Sequence, residues 1–159
     1  MSFYIRVFSQ AEDYPSLSAL CDELLEEGYE FSTSPGKEEP DFKVQDWESM
    51  VFQYNPDNKP VFLERNTIHG EDNLFKEEQK EFLDEVKALP YSKGQKKAIE
   101  VLKNTVQIYA FEIDEDITEE GWEFLECILD FLCDATDGYV QVDEEGLYGQ
   151  DGNLLVEIE

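Results

Sequence analysis

Carboxylates are the side chains of this chain whose number and spacing could do chemistry. Glu119, Glu123, Glu126, Asp130, Asp134 and Asp137 follow one another in steps of four, three, four, four and three. Those steps trace one face of an α-helix. Carboxylates one turn apart repeat every ~5–6 Å, close to the phosphate spacing of a nucleic-acid strand. Such an edge can attract a basic protein surface, a polyamine or a divalent cation, or imitate a phosphate backbone. These six are the candidate partner-binding residues.

Other acidic groups are candidates for metal or catalysis. Asp114-Glu115-Asp116 precedes the stripe, and Asp143-Glu144-Glu145-Gly146 and Asp151-Gly152 lie in a turn-rich segment near the end. Oxygen-rich loops can hold Ca²⁺ or Mg²⁺, but counting from Asp114 the sixth position is Glu119, where an EF-hand loop requires Gly. One histidine and three scattered cysteines form no zinc ligand set. His69-Gly70 sits in a polar stretch and reads as an exposed turn, and no nucleophile-elbow, Walker or dinucleotide-binding motif occurs. Among 39 Asp and Glu, adjacency says little about acid–base pairing. The expectation is no catalytic, cofactor-binding or metal-ligating residue, and no enzyme.

The charge is unevenly distributed. The 159 residues carry a formal charge of −27, with 12 bases. Residues 106–159 hold seventeen acids and no Lys or Arg, whereas residues 76–105 hold seven lysines against six acids. A surface this negative disfavours DNA, RNA and anionic membranes as direct ligands. Yet hydrophobic residues make up 41% of the chain, with eleven Phe and eight Tyr, too many for a disordered acidic tail. One domain over 1–159 is expected. Cys21, Cys127 and Cys133 lie among apolar residues and read as buried free thiols of a reducing compartment. No apolar run approaches a membrane span, and Arg6 interrupts the only short apolar run at the start. A cytoplasmic location is expected.

The elements that must position the carboxylates can be read from periodicity. Residues 3–8 alternate apolar sets on both faces, as a central strand does. Pro15 and Ser16 open a helix over 17–27, with Leu17, Leu20, Cys21, Leu24 and Leu25 inward and Gly28 at its end. A strand follows at 29–33, then a loop at 34–46. Residues 47–54 and 61–64 form a hairpin, whose Trp47, Phe52, Tyr54 and Phe62 read mainly as core. Residues 74–89 form an amphipathic helix, ended by Pro90, and Ser92 caps a second helix to about 103. A central-type strand at 106–113 precedes the helix of the stripe, 118–135. Strands at 139–143 and 154–158 flank the final turns.

Apart from its acids, the 118–135 helix is nearly all apolar: Trp122, Phe124, Leu125, Cys127, Ile128, Leu129, Phe131, Leu132, Cys133. It should therefore be embedded, with one anionic wet edge. Like charges at i,i+4 cost roughly 0.2–0.5 kcal/mol a pair, and Glu119 and Glu120 recover some of this at the helix N-terminus. The lysines Lys76, Lys80, Lys87, Lys93, Lys96, Lys97 and Lys103 could pair with acids of the same fold or of a second copy, which leaves a homo-oligomer open.

The start Ser2-Phe3-Tyr4-Ile5-Arg6-Val7-Phe8, and the closing Asp137-Gly138-Tyr139-Val140-Gln141-Val142-Asp143 through Gly146-Leu147-Tyr148, resemble small uncharacterised acidic bacterial proteins, cyanobacterial ones in particular. The resemblance implies no activity and carries no site residue. The expected fold class is α+β: a ferredoxin-like α/β plait, simple, extended or pseudo-duplicated, with helices on one face of a mainly antiparallel sheet. The expected function is an acidic protein-interaction module for a basic partner, of inhibitor, immunity or nucleic-acid-mimic type, without a cofactor. The alternatives are a divalent-cation-binding protein and an enzyme with an unrecognised carboxylate site.

Overall fold

Strand β1 (Ser2–Ser9) alternates Phe3, Ile5 and Val7 with Tyr4, Arg6 and Phe8, so both of its faces need cover. In the structure, a computed structural model describing residues 2–34, 48–68 and 74–158, it lies between β5 (Gln107–Asp114) and β6 (Gly138–Val142), antiparallel to both. Among the described residues the sheet has eight strands, all neighbours antiparallel. On the β5 side follow β4 (Val61–Thr67), β3 (Ser49–Gln53) and β2 (Ser32–Ser34). On the β6 side follow β7 (Gly146–Tyr148) and β8 (Leu154–Glu157). The α+β class and the mainly antiparallel sheet are as expected, as is the central place of β1.

Four helices complete the described residues: α1 (Leu17–Glu26), α2 (Leu74–Lys87), α3 (Lys93–Asn104) and α4 (Glu119–Thr136). Side-chain capping sets three starts: Ser16, Ser92 and Thr118 accept hydrogen bonds from the N–H of Ala19, Gln95 and Gly121. Gly28, at φ +90°, turns the chain out of α1, and Asp137 ends α4 in the left-handed conformation that Asp tolerates.

The helices lie on both faces of the sheet, which corrects the expectation of one covered face. On the first face α1 and α4 pack against Ile5 and Val7 of β1, Met50 and Phe52 of β3, and Tyr109, Phe111 and Ile113 of β5. Phe124 of α4 is the aromatic hub there, with Tyr29, Phe31, Phe52 and Tyr54 at centroid distances of 5.5, 5.4, 5.8 and 6.0 Å. On the second face α2 and α3 pack with Phe8, Ile108, Leu147, Val156 and Ile158. The physical reason lies in β1 and β5, which carry apolar residues on both sides: Phe8 and Ile108 would be bare without α2 and α3.

Several local expectations also change. Strand β7 falls in a segment read as turns alone, and Tyr29 and Phe31 pack on the core ahead of a shorter β2. Of the aromatic hairpin, Phe52 and Tyr54 are core while Phe62 is 45% exposed. Trp47, His69-Gly70 and most of the 34–46 loop lie outside the described residues. Cys21 is buried, but Cys127 and Cys133 are only half-buried; all three are free thiols. Among the described residues no helix is long and apolar enough to cross a membrane.

Candidate functional site

The stripe is real as geometry. Glu119, Glu123, Glu126, Asp130 and Asp134 are exposed on α4, and Asp137, also exposed, caps it. At 100° per residue the six fall within an arc of roughly 80°. Phe124, Leu125, Ile128, Leu129 and Leu132 fill the opposite side and are buried, which fixes the rotation of the helix about its axis.

Two depressions flank this ridge. On one side a groove of about 380 Å³ separates α4 from α1, and Glu23 of α1 and Glu27, which caps its C-terminal end, face Glu123, Glu126, Asp130 and Asp134 across it. On the other side a cleft of about 690 Å³ lies between α4 and the β6–β8 end of the sheet. Glu126, Asp130 and Asp134 border both depressions, and among the described residues neither lining contains a Lys or Arg. Asp137 borders the cleft and Glu123 the groove; Glu119 sits apart from both, in the first turn of α4.

The cleft has an apolar floor. Ile5 pairs in register with Val142, and Val7 with Val140, so these side chains share one face of the sheet. Val140 and Val142 stay half-buried because α4 covers only part of that face, and Trp122, Leu129 and Cys133 supply the apolar flank of α4. The far wall is the chain from Glu145 to Gly152. There the Tyr148 hydroxyl donates to Glu145 Oε1 at 2.5 Å, and Gln150 Nε2 donates to Asp137 Oδ1 at 2.6 Å, tying the last turn to the end of α4.

The acidic surroundings act on the neighbouring thiols and phenols. Burial pushes the Cys133 thiol up to about 12, with Asp130 and Asp134 adding to the effect. Cys127 is raised by burial and by Glu27, Glu23 and Asp130, and Tyr29 is raised by burial, Cys127, Glu123, Glu27 and Glu126. Both shifts disfavour the thiolate, the form that acts as nucleophile or metal ligand.

The loops considered for metal are occupied by protein donors. Asp114 accepts from the Asp116 N–H at 2.9 Å and pairs with Lys59 at 3.0 Å. Asp143 Oδ1 accepts from Arg6 and Gln141, and its Oδ2 from the Tyr4 N–H. Among the described residues no group of three or more His, Cys, Asp or Glu is placed to hold a metal ion.

Sequence reasoning found the ridge but missed its opposing walls. Glu23 and Glu27 carried a signal, being an i,i+4 acidic pair at the end of α1 and its cap. The alternation Val140, Val142 marked one face of β6. Nothing in the sequence placed either wall beside α4. Compared with known proteins, the chain matches no family model, no curated protein and no solved structure.

Proposed function

We propose that the chain is a non-enzymatic, cytoplasmic, acidic interaction module that binds a basic protein partner along α4. The observation that carries this reading is the ridge of Glu126, Asp130 and Asp134 between two depressions that among the described residues contain no Lys or Arg, with Glu23, Glu27 and Glu145 on the outer walls. Exposed carboxylates at one-turn spacing offer a cationic surface a phosphate-like row. A field of this sign raises the association rate of a basic partner and weakens as salt rises. That behaviour suits an inhibitor, an immunity protein or a nucleic-acid mimic. Three free thiols support the reducing compartment.

The fold reading extends the same proposal. The central order β4-β5-β1-β6, all antiparallel, supports an extended ferredoxin-like plait, with β2–β3 and β7–β8 added at the edges and α2–α3 inserted before β5.

The test is retention of basic proteins from lysate of expressing cells on the immobilised chain, eluted with a salt gradient. The wild type is expected to release a basic partner at moderate salt. The E123Q/E126Q/D130N/D134N variant is expected to lose at least tenfold in affinity for that partner. Undiminished affinity in the variant would remove α4 from the interface.

A further inference from the structure

We infer that the cleft between α4 and the β6–β8 end receives a basic amphipathic helix of another protein, laid alongside α4 on the sheet. This rests on the reading above and adds where the partner docks and what shape its contacting segment has.

The argument begins with uncovered apolar surface. On the first face of the sheet α1 and α4 do the covering, but Val140, Val142 and Trp122 remain half-buried beyond the Leu129–Cys133 flank of α4. Helices pack side by side at 8–10 Å, so a third helix on this face would lie next to α4, over β6. The apolar floor is a sheet face, not a free strand edge, so an added β-strand has no backbone partner there, whereas the apolar stripe of a helix does. Along α4, Trp122 to Asp137 spans about 22 Å, roughly four turns of a docked helix.

The charge then selects the kind of helix. Glu126, Asp130 and Asp134 stand about 6 Å apart along one lip, and Glu145 stands on the other. Lys or Arg at every fourth position of the incoming helix matches the first lip in either direction. Their long apolar stems can lie on the floor while the charged heads reach the rim.

A second copy of this chain is a poor occupant. Its own cationic helix, α3, exposes Lys93, Lys96, Lys97 and Lys103, but its Ala98, Val101 and Leu102 are buried beneath it. It has lysines to offer and no apolar stripe. Two bodies of charge −27 also repel one another at long range.

The test uses two synthetic 18-residue peptides of identical Leu and Lys composition, one with helical periodicity and one scrambled to abolish the apolar stripe. Binding is followed by calorimetry, and by NMR of the Val140 and Val142 methyls and the Trp122 indole. The periodic peptide is expected to bind at least tenfold more tightly than the scrambled one and to shift those three residues. The V140T/V142T variant, which keeps shape and strand preference, is expected to lose about tenfold for the periodic peptide alone. Equal affinity for both peptides would overturn the helix-in-cleft inference and leave the acidic-edge reading standing. Absence of binding by either peptide at low salt would overturn both. A dimer in sedimentation that V140T/V142T dissolves would assign the cleft to a second copy and overturn the inference.

Discussion

Arg6 donates through Nη1 to Asp143 Oδ1 at 2.8 Å, joining the middle of β1 to the residue that follows β6. The same guanidinium donates from Nη1 to Gln141 Oε1 at 2.9 Å and from Nε to Glu78 on α2. Its Cζ lies 5.1 Å from the ring centroids of both Tyr4 and Phe82. One cation therefore ties two strands to the helix that covers them, on the face opposite the acidic ridge. Both side chains of the Arg6–Glu78 pair are mostly shielded from water.

Removing the cation leaves Glu78 with its charge uncompensated. Burial already pushes the Glu78 carboxyl above its usual range, against the opposing pull of Arg6. Arg6→Met is expected to cost about 3 kcal/mol at pH 7. Glu78 itself has a folded value above its unfolded one. Its stabilising contribution is complete below the unfolded value, near 4.5, and is lost as pH rises through the folded value. The stability advantage of wild type over Glu78→Gln should therefore shrink between pH 4 and pH 7 in urea unfolding. An advantage that grew over that interval would mean that Arg6 outweighs burial at this carboxyl.

Gly94 reverses an ordinary rule. Glycine to alanine inside a helix usually gains about 0.5–1 kcal/mol. Here a Cβ would stand 1.9 Å from the backbone carbonyl oxygen of Leu155, where α3 meets β8. Gly94→Ala is expected to destabilise by about 1–3 kcal/mol, through forced separation of helix and strand. Lys96→Ala, exposed on the same helix, should stay within about 0.5 kcal/mol of wild type. Thermal and urea denaturation of the two variants decide it: a stabilised G94A would show that α3 and β8 are not in close contact.

The acidic ridge should lower stability when no partner is bound. Glu126–Asp130 and Asp130–Asp134 are like-charged i,i+4 pairs, each destabilising by about 0.2–0.5 kcal/mol. The E126Q/D130N/D134N variant is expected to be about 0.4–1 kcal/mol more stable than wild type at low ionic strength, the sum of those pair terms. The gain should fade near 1 M salt, where the screening length is about 3 Å. Urea, being uncharged, is the suitable denaturant. Equal or lower stability of the variant at low salt would contradict self-repulsion along α4.

Local signals in the chain were legible where one element sets its own geometry. Ser16 and Ser92 announce helix starts, Gly28 an end, and the four-three-four-four-three spacing places six acids on one side of α4. The two apolar faces of residues 3–8 correctly put β1 inside the sheet. The side of the sheet on which a helix lies is different. Periodicity shows that Phe82 and Val86 face inward, but not that they meet Phe8 while Phe124 meets Phe52 on the other face. Strand β7 was hidden because its pairing depends on β6 and β8, not on its own three residues. The cleft was hidden for the same reason: Val142 becomes floor only because it pairs with Ile5, far off in sequence, and because α4 stops short of covering it.

The placement of β1 between β5 and β6 also orders events in time. During synthesis its eight residues emerge well before their partners, Gln107–Asp114 and Gly138–Val142. At typical elongation rates the wait is about 5–30 seconds. Until then the strand presents Tyr4, Ile5, Val7 and Phe8 with no sheet to join. Pairing across such separations makes folding slow, and late closure invites aggregation. Surplus negative charge opposes association between incomplete chains, so the repulsion that burdens the finished fold also protects the chain while it is unfinished.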